Sequence, residues 1–323
     1  MAEISKPKNY LWLDLLKGFA MIAVVVDHLY SYYQNLNIQH HTGFHVSLFI
    51  LVAGFTSAIS IQNRGGVVNF YYILKRISKI FVPYLVATFI YCIYFQYFDL
   101  ATIFRKIYTF SVAGPLYFVF FYIQLVAISS FIYKLVNHQK SKFFDIPLII
   151  VFFLLGLLFN KYKIINSFYG GSGVLFGGSF FFLFTLGFFI KKYEKIFENK
   201  KFNITLLISS IILLTIYEIF GFVSKSWSNP ANGWLIGYTL IVFSIVLSTY
   251  QLFLIRFNKF LTPITIIGKN SLYIFLYHTL IINLFSKVLL FANYYLLLIF
   301  LSIYLPILIP HLLNLFKPQK TTN

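Results

Sequence analysis

The chain has 323 residues, of which 59% are hydrophobic, 21% aromatic and only 11% charged, with a mean hydropathy of +0.81. A soluble domain carries about 25% charged residues because its surface must be hydrated, so this composition excludes an ordinary soluble protein. The formal net charge of +18 does not indicate nucleic-acid binding, because the basic residues lie between apolar runs, where membrane topology accounts for them.

Apolar runs follow one another along the whole chain, and ten of them are long enough to be transmembrane helices at about 20 residues per crossing. They are Leu11–Tyr30, Phe44–Ile61, Phe81–Phe98, Pro115–Leu135, Phe143–Phe159, Val174–Ile190, Ile204–Phe222, Trp234–Phe253, Pro263–Phe285 and Tyr294–Phe316. The sequence therefore predicts an all-α, polytopic helix bundle that forms a single membrane-embedded domain over residues 1–323.

The distribution of basic residues predicts the orientation of this bundle. With a cytoplasmic N-terminus, 19 of the 26 Lys and Arg residues fall in inside segments and six in outside segments, while Lys17 lies within the first helix. Because positive residues accumulate in cytoplasmic loops, both termini are predicted to be cytoplasmic. The segment from Gln62 to Ile80 is then a cytoplasmic loop with a basic stretch, KRISK, before the third helix.

Ionisable side chains inside the first helix are the leading functional candidates, because a charge in the middle of a membrane costs about 3 kcal/mol or more. At about 100° per residue, Lys17 and His28 share one helix face about 16 Å apart, Asp14 adjoins Lys17, and Asp27 points about 100° away. Such a face is able to bind a long anionic cofactor at one end and to carry out proton chemistry at the other. The alternative is an interfacial Asp14–Lys17 ion pair with a hydrated histidine at the outer end.

Other polar residues give weaker signals. His41 and His45 are four residues apart and adjoin His40, but no carboxylate or thiol is nearby to complete a ligand set, so no metal site is expected. The single cysteine, Cys92, lies in an apolar run and excludes both a disulfide framework and a thiolate metal site.

Five segments carry motifs with a recognisable order. They are WLDLLKGFAMIAVVVDH in the first helix, LFILVAGF in the second, KRISKIFVPY at the start of the third, GPLYFVFFYIQL in the fourth and IGKNSLYIFLYHTLI in the ninth. Together they resemble the acyltransferase-3 family of integral membrane O-acyltransferases. Three residues depart from the family pattern: Lys17 and Lys79 stand where the family has Arg, and Tyr117 stands where it has Trp.

The resemblance implies transfer of an acyl group, usually acetyl, from cytoplasmic acyl-CoA to a hydroxyl of an envelope polysaccharide or lipid-linked sugar. It makes His28 the general base and adds Asp14 and Lys17 to the catalytic residues. It further implies that Lys17, Lys75, Arg76 and Lys79 bind the donor, which is a substrate and not a resident cofactor. The loss of the planar guanidinium at Lys17 and Lys79 puts the donor geometry in question.

Acceptor binding is expected to involve His278, Glu218 and Tyr117. For His278 the alternative is a buried histidine bonded to a neighbouring helix, and for Glu218 it is a side chain that extends to water. The expected partners are membrane lipids, acyl-CoA and a carbohydrate acceptor, with no nucleic acid. Transfer is either direct or passes through a separate acyl-accepting protein. The expected location is a bacterial plasma membrane, and the rival function is export of a glycan or lipid-linked sugar.

Overall fold

The computed structural model describes residues 10–30, 39–138, 142–162, 174–223, 233–257, 259–289 and 294–315. Nearly all of these residues are helical, which confirms the predicted all-α fold. The longer helices and short connecting helices are α1 Leu11–Tyr30, α2 Gln39–Thr42, α3 His45–Gln62, α4 Phe70–Tyr94, α5 Leu100–Thr109, α6 Tyr117–His138, α7 Asp145–Phe159, α8 Phe180–Lys192, α9 Lys200–Ile219, α10 Gly233–Leu252, α11 Thr262–Lys269, α12 Ser271–Leu289 and α13 Tyr295–Leu315.

Five segments among the described residues are long and apolar enough to cross a membrane, and they correspond to α3, α4, α6 with the turn before it, α9 and α10. Helix α1 is as long as these, with 20 residues, but carries three charged side chains. Helix α8 has 13 residues, or about 20 Å at 1.5 Å per residue, which is shorter than a hydrocarbon core of about 30 Å. The number of ten crossings and the cytoplasmic termini stay predictions.

The third predicted helix begins earlier than expected. Helix α4 starts at Phe70 and not at Phe81, so the basic stretch predicted as a loop is helical. The Asn69 side chain accepts a 2.9 Å hydrogen bond from the Tyr72 amide and caps this first turn. Pro83 lies in the interior of the helix, which continues through it. The practical consequence is that the basic side chains of KRISK point in different directions around a helix.

Helix α5 was not predicted. Asp99 caps its N-terminus by accepting a 2.7 Å hydrogen bond from the Thr102 amide, and the hydrogen bonds from Thr102 lower the pKa of Asp99. The helix ends at Thr109 and is followed by Phe110, whose φ of 54° is left-handed. Because its apolar residues lie on one face and alternate with Thr, Arg and Lys, α5 lacks the continuous apolar run on which the sequence prediction relied.

The ninth predicted helix is interrupted. The expected single helix, Pro263–Phe285, is instead α11 and α12, with the break at Asn270. The Asn270 side-chain amide donates a 2.9 Å hydrogen bond to the Ile266 carbonyl, which competes with the regular helical ladder. This break separates two residues of one predicted motif, Lys269 and Ser271, onto different helices.

The sixth predicted helix, Val174–Ile190, is regular only from Phe180. Gly177 and Gly178 precede it with φ values of 74° and 61°, a region that suits glycine. The Asn160 side chain then accepts a 3.0 Å hydrogen bond from the Ser179 amide, so the end of α7 holds the start of α8. These two short helices form one hairpin beside α3.

A buried ion pair at the other end of this hairpin joins three helices. Lys192 Nζ lies 2.8 Å from each Asp145 carboxylate oxygen and donates to the Val136 carbonyl at 2.9 Å. The Tyr193 hydroxyl donates to the same carboxylate, and this hydrogen bond raises the pKa of Tyr193 to about 12. The contact fixes the C-termini of α6 and α8 to the N-terminus of α7.

Candidate functional site

Two glycines bring the first motif and the last motif into backbone contact. A methyl group at Gly18 would lie 2.2 Å from the Ile264 carbonyl oxygen, and one at Gly268 would lie 1.8 Å from the Asp14 carbonyl oxygen. Only glycine permits this approach. Helices α1 and α11 are thereby packed so closely that Lys17 and the start of α12 line one cavity.

The polar residues at the inner part of α1 form an ion pair. Lys17 Nζ lies 2.6 Å from Asp14 Oδ1, and the two side chains are 25% and 17% exposed. The Asp14–Lys17 ion pair of the alternative interpretation is therefore present in the structure. Lys17 also lines the cavity described next, so the ion pair leaves part of its side chain accessible from that cavity.

A cavity of about 370 Å³ extends between α1, α3, α4, α6 and α12. Lys17 and Ser271 lie near the ends of their helices that are predicted to face the cytoplasm, while Phe49 and Phe118 lie near the opposite ends of theirs. Most of the lining between them is apolar, with Thr56 and Tyr122 among the exceptions. The cavity is therefore polar at one end and aromatic at the other.

Three phenylalanines form the aromatic end. The Phe118 ring lies 5.0 Å from that of Phe275 and 6.4 Å from that of Phe49, measured between centroids. The Phe275 ring in turn lies 6.0 Å from the ring of His278. These rings consequently separate the cavity from a pair of histidines on its far side.

The histidine pair joins residues that are 250 positions apart in the chain. The rings of His28 and His278 lie 5.0 Å apart and are tilted by 44°. His278 is fully buried, and its Nδ1 lies 3.0 Å from the Ile274 carbonyl and 2.9 Å from the Phe275 carbonyl. Because both partners are acceptors, Nδ1 carries the proton and Nε2 carries the lone pair.

The lone pair on Nε2 of His278 is available to accept a hydrogen bond. Nε2 of His278 is buried, and no residue in the described part of the chain bonds to it. The alternative in which a neighbouring helix bonds His278 does not describe the structure, because the hydrogen bonds of its Nδ1 go to its own helix. A buried acceptor left without a donor is costly, so a substrate that brings an N–H or O–H group would satisfy it.

Asp27 points to another face of α1, as its position in the helix predicts. Its Oδ1 accepts a 3.0 Å hydrogen bond from Thr42 Oγ1, and its Oδ2 lies 3.4 Å from Nε2 of His45. The Val46 amide donates to Nδ1 of His45 at 2.8 Å, so Nε2 is the nitrogen that donates to Asp27. Nothing in the sequence indicates this pair beyond the presence of an acid inside an apolar helix.

Arg76 is the basic residue of KRISK that points into the bundle. Its Nη2 donates a 2.7 Å hydrogen bond to Ser57 Oγ, next to the cavity-lining Thr56. Its Nη1 is buried, and none of the described residues bonds to it. Lys75 and Lys79 are exposed instead, and Lys75 lines a separate surface depression. The structure therefore does not gather the predicted donor-binding residues at one point.

The remaining candidates lie apart from the cavity. Glu218 pairs with His41 at 3.1 Å, and both side chains are about half exposed. The Tyr238 hydroxyl donates to the His41 carbonyl at 3.0 Å, which holds α2 against α10. Tyr117 begins α6 with its ring 5.5 Å from that of Phe121, and its neighbour Phe118 lines the cavity in its place.

No metal centre is visible in the described ranges, which contain no group of three His, Cys, Asp or Glu residues able to hold an ion.

Comparison with known proteins gives one match. No curated protein and no solved structure matches the chain. The model of the acyltransferase-3 family, described as an acyltransferase domain, matches residues 10–310. That range contains α1, the broken helix that packs on it, and the cavity with both histidines beside it. Nearly the whole chain is covered, and the protein belongs to the acyltransferase-3 family.

Proposed function

We propose that this membrane acyltransferase moves an acyl group, acetyl in the simplest case, from acyl-CoA to a hydroxyl of an envelope polysaccharide or lipid-linked sugar. The observation that carries the proposal is the position of the His28–His278 pair beyond the aromatic end of a long apolar cavity. Family membership supports acyl transfer in general. The cavity supports a donor with a long, thin arm and an anionic end.

The different chemistry of the two ends of the cavity supports an extended acyl-CoA donor. A pantetheine arm is thin and extended, and it would lie along the apolar lining with its thioester towards Phe118 and Phe275. Arg76 and Lys17 at the opposite end would attract the phosphates, with Lys75 and Lys79 contributing from the surface. Asp14 would hold the Lys17 ammonium in position through their 2.6 Å contact. The phenylalanine rings must move aside for the thioester to reach the histidines.

In the chemical step, His28 accepts the proton of the attacking hydroxyl as its oxygen forms a bond to the thioester carbonyl carbon. The carbon–sulfur bond then breaks, and the departing thiolate takes up the proton that His28 received. The products are an ester and CoA, with no net change in the protein. His278 would accept a hydrogen bond from a substrate group through its buried Nε2.

The acceptor would approach from the end of α1 that carries His28. Glu218 and Tyr117 are the proposed acceptor-binding residues on that side, Glu218 as a carboxylate that accepts hydrogen bonds from sugar hydroxyls and Tyr117 as an aromatic face. A bacterial plasma membrane is the proposed location, since it offers acyl-CoA on one side and glycans on the other. A separate acyl-accepting protein would be needed only if transfer is indirect.

The test uses purified full-length protein and its membranes. His28→Ala is expected to abolish acyl transfer to membrane glycans, measured by mass spectrometry, while CoA still binds in calorimetry. His138→Ala is the matched control, because His138 is exposed at the end of α6, and it should retain full transfer. Transfer by His28→Ala at the rate of the control would reject His28 as the base. Loss of glycan translocation with unchanged acyl content would favour the exporter.

A further inference from the structure

Two of the four arginines in the chain meet at one tyrosine ring. The guanidinium carbon of Arg64 lies 4.2 Å from the Tyr72 ring centroid, and that of Arg76 lies 5.8 Å from the same centroid. With 22 lysines among the 26 basic residues, this concentration of guanidinium groups is unusual for the sequence. Arginine differs from lysine in presenting a planar fork of donors that matches phosphate oxygens.

The tyrosine ring that both arginines approach is buried and hydrogen-bonded. Tyr72 is 7% exposed, and its hydroxyl is hydrogen-bonded to Ser60. Arg64 sits in a tight turn in which its amide and that of Gly66 both donate to the Ile61 carbonyl, at 3.0 and 3.1 Å. The φ values of Gly65 and Gly66, 68° and 79°, are those that glycine adopts without strain. Arg64 is therefore placed by a defined backbone.

The two positive charges are not compensated within the described ranges. No described carboxylate forms an ion pair with Arg64 or Arg76, and Nη1 of Arg76 is buried without a described hydrogen-bond partner. Both guanidinium carbons lie within 6 Å of one ring centroid, neighbouring like charges repel each other, and a buried guanidinium nitrogen needs an acceptor. An anion with several oxygen atoms would satisfy both requirements. Phosphate groups have this chemistry.

We infer that Arg64 joins Arg76, whose guanidinium lies over the same Tyr72 ring, in binding the phosphate groups of the acyl donor. This inference rests on the proposed function for the identity of the donor. Arg76 reaches the cavity side through Ser57 and Thr56, and Arg64 extends the cationic surface towards the predicted cytoplasm. The ligand class is the nucleotide phosphates of a CoA thioester, and the competing source of the same chemistry is a lipid headgroup.

The experiment measures binding to the purified full chain by calorimetry, with CoA, 3′-dephospho-CoA and pantetheine as probes. Arg64→Gln is expected to weaken CoA binding by roughly 10- to 100-fold, the loss typical of a charge-assisted hydrogen bond. Pantetheine, which has no phosphate, should bind Arg64→Gln and wild type equally. Arg64→Lys should recover part of the CoA affinity. Arg105→Gln, which changes an exposed arginine on α5, should change none of these affinities.

The outcomes separate the inference from the proposed function. If wild type does not bind CoA, the proposed function fails, and this inference fails with it. If wild type binds CoA and Arg64→Gln binds it equally, the inference alone is overturned. A lipid arm compares thermal unfolding in phosphatidylglycerol and phosphatidylcholine nanodiscs. Stabilisation by phosphatidylglycerol that disappears in Arg64→Gln, with unchanged CoA affinity, would assign the arginines to lipid and overturn the inference.

Discussion

The substitution Gly268→Ala tests how the first helix and the broken ninth helix assemble the site. The added methyl group would lie 1.8 Å from the Asp14 carbonyl oxygen, whereas ordinary contacts begin at about 3.4 Å. A backbone oxygen cannot rotate away, so α1 and α11 must separate. Overpacking of this kind costs about 1–3 kcal/mol, which corresponds to a roughly 5- to 150-fold shift in the unfolding equilibrium.

The measurement is thermal unfolding of the purified protein in detergent, followed by CoA titration at a temperature where both proteins are folded. Gly268→Ala is expected to unfold at a lower temperature and to bind CoA more weakly, because Lys17 moves relative to Ser271 at the cavity. Gly233→Ala is the matched control, since a methyl group at position 233 would meet nothing within 4 Å. Equal unfolding temperatures for Gly268→Ala and Gly233→Ala would refute the close backbone approach.

Four further predictions follow from individual contacts. Lys17→Ala should weaken CoA binding while Lys17→Arg retains part of it, and an unchanged affinity in Lys17→Ala would count against its role with the donor. His278→Phe should reduce acyl transfer more than His278→Gln, because glutamine keeps an acceptor atom near Nε2; equal rates from comparably folded variants would argue for a packing role only. Asp145→Asn should destabilise the protein by about 1–3 kcal/mol, since it removes the carboxylate paired with the partly buried Lys192, and an unchanged free energy of unfolding by denaturant titration would contradict this. The raised pKa of Tyr193, about 12 against an ordinary 10, means that its hydrogen bond stabilises the fold below pH 10 and is lost as pH rises from 10 to 12; Tyr193→Phe should remove this alkaline component, and an identical alkaline transition in both proteins would disprove it.

Much of the fold is readable from local sequence. Each of the ten predicted helices overlaps a helix of the structure, and the first, Leu11–Tyr30, has the same bounds. The length of an apolar run is a local property, so it predicts the position of a helix well. The prediction was poorest where helix limits depend on polar capping, as at Asn69 and Asn270, because a single side-chain amide is invisible to an average over a window.

Only part of the candidate site could be predicted from the sequence. Lys17 and His28 share a face because one helix repeats every 3.6 residues, which the sequence alone establishes. The proximity of His28 to His278 depends on packing between α1 and α12 and has no local signal. The same holds for Asp27 with His45 and for the meeting of Arg64 with Arg76.

Composition, periodicity and charge spacing thus determined the membrane class, the all-helical fold and the polar face of α1, since each depends on residues close together in the chain. Tertiary packing alone decided that Arg76 points into the bundle while Lys75 and Lys79 face outwards, and that His278 presents a buried lone pair beside His28. The physical reason is that helix orientation about its own axis is set by neighbours that approach through Gly18 and Gly268, and those neighbours lie some 250 residues away along the chain.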